Sequence, residues 1–548
     1  MKISSFVAPL AALIVASAQA LAGDPVAPRR SLPALQEGVV LPRAMTQTEK
    51  DWELRNPDLR PRLASVPPTG VVVGASEYRP MEAILLGYSG TNAWKNILAE
   101  MAKHITTTGN ADVMVVVTST AQRTDMTTRF TNAGANMSRV KSYIASLDSI
   151  WMRDYGPRFV YEGGVRVVVD SGYYSTRPND DAIPSFMATQ LGRPYYAMPL
   201  KHSGGNYHMD DATAGYASTL TMTDNPTMTE TQIRDMFQSY YGMYTNFWTR
   251  LPSTVDGTGH VDMWFIPVSA STVIISDWPN NAGSAQDLTC DSVAATMQAR
   301  GYTVVRVPAR TLSGVHYTYI NAVVCNDLVM IPSYTNTSIS GWNAQALAAW
   351  QSAMPGKTVV QVNCENIISA AGAMHCIVMH YPASSGGNNP VVHVRTPTGG
   401  DSVAPGQSVA VNWISDHVRA ITSVDIALSL DGGQTFDTIA ANEANDGAFA
   451  WTVPDVWTTQ ARLRVTARDA QGASGFDLND ANFAITGTQP RNGDLDGNGL
   501  VDAGDIAVLL LAFGDCAVAA DCPADLDRNG LVDSGDIGVM LLLFGSTN

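Results

Sequence analysis

Several common classes of protein are argued against by what this chain has little of. Beyond its opening residues, no stretch approaches the ~20 uninterrupted apolar residues that a membrane-spanning helix needs, so permanent anchoring is not expected. Basic residues are outnumbered, with 34 Lys and Arg against 50 Asp and Glu and a net charge of -16. That balance argues against non-specific nucleic-acid binding, which requires a basic footprint. Six cysteines are few for 548 residues, so disulfides are not expected to hold the main core together. Cys516 and Cys522 are close enough to bridge, whereas Cys290, Cys325, Cys364 and Cys376 lie far apart and their pairing is left open.

What is present points to several modules, because a chain of this length exceeds one compact core. Residues 1–22 combine Lys2, an apolar run from Phe6 to Val15, and small residues at Ala18, Ala20 and Ala22. They read as a secretory signal, and the mature protein is expected to be secreted or held at the cell surface. Residues 23–70 are rich in Pro and Arg and read as a lead-in with one short helix around Gln47 to Asn56. From Val71 to residue 383, short β-rich runs such as DVMVVV alternate with amphipathic stretches such as NAWKNILAEMAKHI, predicting an α/β domain with internal repeats. Residues 390–487 lose helical periodicity and carry closely spaced strands, with a hairpin signal at Asp431-Gly432-Gly433; an immunoglobulin-like β-sandwich is expected.

Residues 490–548 hold two near-copies, DLDGNGLVDAGDIAVLLLAFG and DLDRNGLVDSGDIGVMLLLFG, and ten Asp against two Arg. Asp494, Asp496, Asn498, Asp502 and Asp505 fall at the oxygen-ligand positions of a twelve-residue loop, as do Asp525, Asp527, Asn529, Asp533 and Asp536. With mid-loop carbonyls from Leu500 and Leu531, each set fits a structural Ca²⁺. The pair resembles a type I dockerin module, a small helical unit, and the resemblance implies calcium-dependent folding and a cohesin-like partner.

Three motifs in the α/β domain set polar residues in apolar surroundings: Trp151-Met152-Arg153-Asp154-Tyr155-Gly156-Pro157, Gly259-His260-Val261-Asp262 and Gly372-Ala373-Met374-His375-Cys376. A regular strand through the second would point His260 and Asp262 to one face. A Cys, a His and two carboxylates suit a cysteine hydrolase as well as other nucleophilic chemistry. Zinc ligation is not favoured, since neither C-x-x-C nor H-x-x-x-H spacing occurs.

Taken in order, WMRDYGP, Ser203-Gly204-Gly205-Asn206, GHVDM, Tyr319-Ile320-Asn321-Ala322 and GAMHCIV resemble the bacterial, Porphyromonas-type peptidylarginine deiminase and agmatine deiminase family over residues 71–383. The resemblance implies the pentein fold, a fivefold β/α propeller around one site, with no cofactor for catalysis. It further implies Cys376 as nucleophile, His260 as general acid and base, Asp154 and Asp262 as guanidinium-binding carboxylates, Asn321 as an active-site Asn and Trp151 as a pocket wall. Asn206 falls in the substrate-binding GGN segment. Two carboxylates suit a guanidinium because its planar, paired N–H donors give them fork-shaped hydrogen bonds.

The signal, sandwich and docking tail resemble the layout of peptidylarginine deiminase, for which the expected substrate is an arginine-containing peptide or protein. The stretch Ser175-Thr176-Arg177-Pro178-Asn179-Asp180-Asp181 is similar to a segment whose two Arg hold a peptide's terminal carboxylate; only Arg177 is kept, and Ser175 replaces the other. Agmatine deiminase stands as the alternative. An amidinotransferase, a cysteine hydrolase and a non-catalytic binding module rank behind it.

Overall fold

The computed structural model describes residues 40–56, 64–486, 493–516 and 522–547, and the signal segment lies outside them. Five sheets make up the α/β unit, each built to one plan. An antiparallel pair comes first, and a helix then crosses to a parallel third strand. Thus Arg158–Glu162 pairs with Val165–Gly172, and helix Ile183–Leu191 leads to the parallel strand Tyr195–Lys201. His208–Met209, Ala214–Ser218, helix Glu230–Tyr241 and Tyr244–Trp248 repeat the plan. So do Phe265–Ser269, Thr272–Asp277, helix Ala285–Ala299 and Thr303–Leu312. Val323–Cys325, Leu328–Ser333, helix Asn343–Ala353 and Thr358–Asn363 form the fourth unit.

The fifth unit joins the two ends of the domain. Its first strand, Val378–Pro382, comes from the end of the domain and pairs with Met81–Gly87, from which helix Asn92–Thr107 crosses to Asp112–Val117. Strands buried on both faces need continuous apolar runs, and Asp112–Val117 supplies one in which every residue after Asp112 is buried. Just before the first strand of each unit stands a short helical turn or tight bend: Met152–Tyr155, Gly204–Asn206, Val261–Met263, the bend Ile320–Ala322, and His375–Ile377. The five motifs of the sequence occupy these five equivalent places.

Residues 391–486 form two largely antiparallel sheets over a core that includes Val411, Trp413, Ile426, Trp451, Leu463, Val465 and Phe483. Buried Asp416 of this unit takes a fork from Arg166 of the α/β unit, at 2.6 and 3.0 Å, and Arg166 lies 4.4 Å from the Tyr381 ring centroid. In the tail, Asp502 and Asp533 cap helices Ala503–Leu511 and Ser534–Leu543 through capping boxes. Val501, Leu509, Leu526, Val532 and Met540 pack between the copies, and Cys516 and Cys522 are joined by a disulfide. The other four cysteines are free and buried.

One expected boundary needs correction. Residues 40–56 are not a peripheral lead-in. Val40 to Thr46 runs into the centre of the five-sheet unit and continues as helix α1, Gln47–Arg55, which begins at the Thr46 capping box. Weak apolar periodicity in this stretch follows from how it is held, through charged side chains more than an apolar face.

Candidate active site

The five turns converge on one buried point, and the side chain at its centre is Arg43. Its guanidinium gives Asp154 two hydrogen bonds, from Nε at 2.9 Å and Nη2 at 2.8 Å, and gives Asp262 two more, from Nη1 at 3.0 Å and Nη2 at 2.9 Å. Arg43, Asp154 and Asp262 have fully buried side chains. Burial disfavours all three charges, yet pairing outweighs it. Arg43, followed by His260, brings the Asp154 carboxyl down to about 2, and Asp262 is depressed further by Arg43 and His375. Gly205 makes room for the fork: a Cβ there would overlap Arg43 Nη2 and come within 2.5 Å of Asp154 Oδ1.

Cys376 sits in the turn beside this pair. Its Sγ lies 3.2 Å from Asn321 Oδ1 and 3.8 Å from Asp262 Oδ2. Burial raises the thiol pKa well above its usual value, the nearby Arg43 cation opposes that, and the two carboxylates add to it. Asn321 fixes the turn, its Oδ1 accepting from Ala373 N at 3.0 Å and Cys376 N at 3.4 Å while its Nδ2 donates to Asp262 O at 3.3 Å. Trp151 forms a wall beside Gly372, where a Cβ would come within 2.8 Å of Cys376 Sγ. The Trp151 indole N–H donates to Leu41 O at 3.0 Å.

His260 is fully buried, with Nδ1 3.4 Å from Asp154 Oδ1, and neither ring nitrogen makes a hydrogen bond within the described residues. An imidazole beside a carboxylate, with its ring nitrogens not committed to hydrogen bonds in the described residues, can exchange a proton with an incoming group. The expected strand through His260 and Asp262 is replaced by a bend and a 3-10 turn, Val261–Met263, entered through Gly259 at φ +71°. The two side chains are therefore brought to one site by the turn and by a chain of contacts, His260 to Asp154, Asp154 to Arg43 and Arg43 to Asp262, rather than by strand alternation.

Asn206 requires a second correction. Its amide is used up by neighbours: Oδ1 accepts from Ser218 N at 3.0 Å and Val261 N at 3.2 Å, and Nδ2 donates to Thr221 Oγ1 at 3.1 Å. It braces the His260–Asp262 turn and makes no hydrogen bond to the guanidinium. Arg177 is also buried, held by Glu49 at 2.8 and 3.1 Å, and its Nη1 and Nη2 lie 3.4 Å from the carbonyl oxygens of Arg43 and Ala44.

Two supporting groups escaped the sequence reading. His375 bridges Asp262 Oδ2 at 2.7 Å and Glu77 Oε2 at 2.8 Å, and Glu77 also takes Arg153 at 2.7 Å. Burial would raise Glu77, but Arg153, His375 and His380 hold it well below the carboxylate range. His375 stood in plain view within the GAMHCIV motif; Glu77, in the short stretch before strand Met81–Gly87, carried no signal.

The loops of the tail bring together Asp494, Asp496 and Asp505 in one copy and Asp525, Asp527 and Asp536 in the other, with ligand oxygens within 4.8 Å of one another. Three converging carboxylates fit the hard-cation chemistry expected of these loops.

A candidate agmatine deiminase of Streptomyces avermitilis is 26% identical over 264 residues, covering 43% of this chain and 75% of its own. The agmatine deiminase of Pseudomonas aeruginosa is 22% identical over 311 residues, covering 46% and 81%. Among solved structures, the agmatine deiminase of Enterococcus faecalis superposes with a TM-score of 0.51 at 18% identity, over 58% of this chain and 98% of that one. A candidate arginine deiminase from Porphyromonas gingivalis gives 0.50 at 16%, over 57% and 98%. Since residues 75–382 match the model of the Porphyromonas-type peptidyl-arginine deiminases, the chain belongs to that family of guanidino-group hydrolases.

Proposed function

We propose that this enzyme is an exported peptidylarginine deiminase that converts arginine, preferentially at a peptide C-terminus, to citrulline and ammonia. One observation carries the reading: the site grips the side chain of an arginine that is part of a polypeptide, with Arg177 beside that arginine's own carbonyl oxygen. A C-terminal arginine bound in the same pose would bring its carboxylate to Arg177. Agmatine has no group to offer there.

In this mechanism Asp154 and Asp262 fix the substrate guanidinium, and the Cys376 thiolate attacks its central carbon. The substrate cation favours that thiolate, as Arg43 does in the structure. His260 protonates a terminal nitrogen, which leaves as ammonia, and a covalent thiouronium remains. Water, deprotonated by His260, then adds to the same carbon; the Cys376 sulfur departs and a ureido group is left. The net change is guanidinium plus water to ureido plus ammonium. The five-sheet plan supports a pentein-type propeller, and the sheets of residues 391–486 an immunoglobulin-like sandwich. In the tail, Leu511 and Leu542 are exposed at equivalent positions of the two copies, which supports a calcium-bound dockerin-like module that docks a cohesin-like partner.

Agmatine deimination is the second reading, favoured by the names of the relatives. Rates of ureido product and ammonia on agmatine, free arginine, an internal-arginine peptide and a C-terminal-arginine peptide separate the two. The C-terminal peptide is expected to win, and Arg177→Ala to reduce its advantage by about 1.5–3 kcal/mol, the contribution of a charge-assisted hydrogen bond. Agmatine as the best substrate by a wide margin overturns the peptidyl reading.

A further inference from the structure

The molecule that fills the guanidinium site is the chain itself. Residues 40–55 lie across the site as a strap, tied at both ends of the substrate pocket. At one end Arg43 supplies the guanidinium, its backbone N–H donates to Ala370 O at 3.0 Å, and Leu41 O receives the Trp151 indole N–H. At the other end Glu49 supplies a carboxylate to Arg177, with a further bond from Thr176 Oγ1 at 3.2 Å. Glu53 of helix α1 accepts from Ser175 N at 2.9 Å and pairs with Lys201 at 2.7 Å. A guanidinium and a carboxylate are the two charges of a C-terminal arginine. The strap presents both, drawing them from residues six positions apart in sequence.

The consequence for access follows from burial. Cys376, His260, Asp154 and Asp262 are no more than 3% exposed. A cavity of about 220 Å³ borders Ala44 and Met45, and one of about 200 Å³ borders Val40 and Leu41; Cys376 lines neither. With the strap seated, Cys376 is fully buried and opens on neither of these two spaces. The second half of the reaction requires water at the Cys376 sulfur, so a seated Arg43 is held without being turned over.

We infer that residues 40–55 are a built-in pseudosubstrate that keeps the enzyme latent, and that the strap must leave before a substrate enters. This rests on the deiminase reading for its meaning, but its test does not. Arg43→Ala and Arg43→Lys in the full chain are compared with the wild type for alkylation of Cys376 by iodoacetamide, followed by peptide mass spectrometry. Lys keeps the charge without the planar fork, which guards against a fold that fails when two buried carboxylates are left bare. Cys290, Cys325 and Cys364 serve as internal controls for global opening.

Cys376 should react at least about tenfold faster in Arg43→Lys, which removes the fork but keeps the cation that favours the thiolate, and with a smaller gain in Arg43→Ala, which loses that cation, with the controls unchanged. Glu49→Gln should act in the same direction by freeing Arg177. Turnover of the C-terminal-arginine peptide should rise in parallel. Equal Cys376 reactivity in wild type and both variants overturns the inference, as does finding Arg43 already converted to citrulline in the purified wild type. Faster alkylation without ureido product from any guanidine would uphold the latent strap and sink the deiminase reading instead.

Discussion

At the scale of single residues, the site works by fixing opposed charges where water cannot weaken them. Cys376→Ser should abolish ureido formation, by on the order of 10³-fold or more as expected for a lost nucleophile, while Cys364→Ser leaves the rate within a small factor. If Cys364→Ser were the dead variant, the nucleophile would be misassigned. Gly205→Ala tests the pocket shape without removing a charged group. Its Cβ would overlap Arg43 Nη2 and crowd Asp154 Oδ1, so it should displace Arg43 as well as an incoming guanidinium: KM should rise sharply and protection of residues 40–55 should fall, and an unchanged KM would place the guanidinium elsewhere. His375 acts through Asp262, and Glu77 acts through His375. Glu77→Gln should lower kcat more than it raises KM, and a change confined to KM would place Glu77 outside the positioning chain.

At the scale of one element, helix α1 decides how firmly the strap is held. Thr46 accepts from Glu49 N at 3.3 Å and its own N–H donates to Glu49 Oε2 at 2.7 Å, so one carboxylate serves the cap and the Arg177 pair together. Thr46→Ala should cost about 1 kcal/mol of seating, a typical N-cap loss, and be read as faster hydrogen exchange over residues 47–55. Exchange equal to wild type would mean that Arg43 alone sets the strap. Acid should act late on the Arg43 end of the strap. Asp154 is depressed to about 2, so its contribution is complete above the ordinary carboxylate value near 4 and is lost as pH falls through about 2. Protection of residues 40–55 should accordingly stay level from neutral pH down to about 4, and a release midway through that range would refute the pairing.

At the scale of the whole molecule, the sandwich and the α/β unit are joined through a buried ion pair, whereas the tail folds around its own small core. Asp416→Ala leaves Arg166 buried without its fork and should cost about 3–5 kcal/mol, measured by denaturant unfolding. A chelator should loosen the tail to proteolysis at residues 493–547 and leave deimination nearly unchanged, since none of the tail's core residues belongs to the α/β core. Parallel loss of activity would refute that independence.

How much was legible in the sequence divides along the range of the interactions. Alternating runs and amphipathic stretches are local, so strand Asp112–Val117 and helix Asn92–Thr107 could be read from periodicity, and Cys376, His260, Asp154 and Asp262 could be singled out because each stands in a short motif. What no local pattern carried was distance across the fold. Arg43 lies 111 residues from Asp154 and 219 from Asp262, so an arginine in a Pro-rich stretch looks like any solvated charge until the turns close around it. The sequence by itself bounded the chemistry open to the chain, because which thiol, carboxylates and imidazole are available is fixed by residue type. Only the tertiary structure decided what that chemistry meets first: burial raises the cost of leaving two carboxylates unpaired, and the chain's own Arg43 is the cation that answers it.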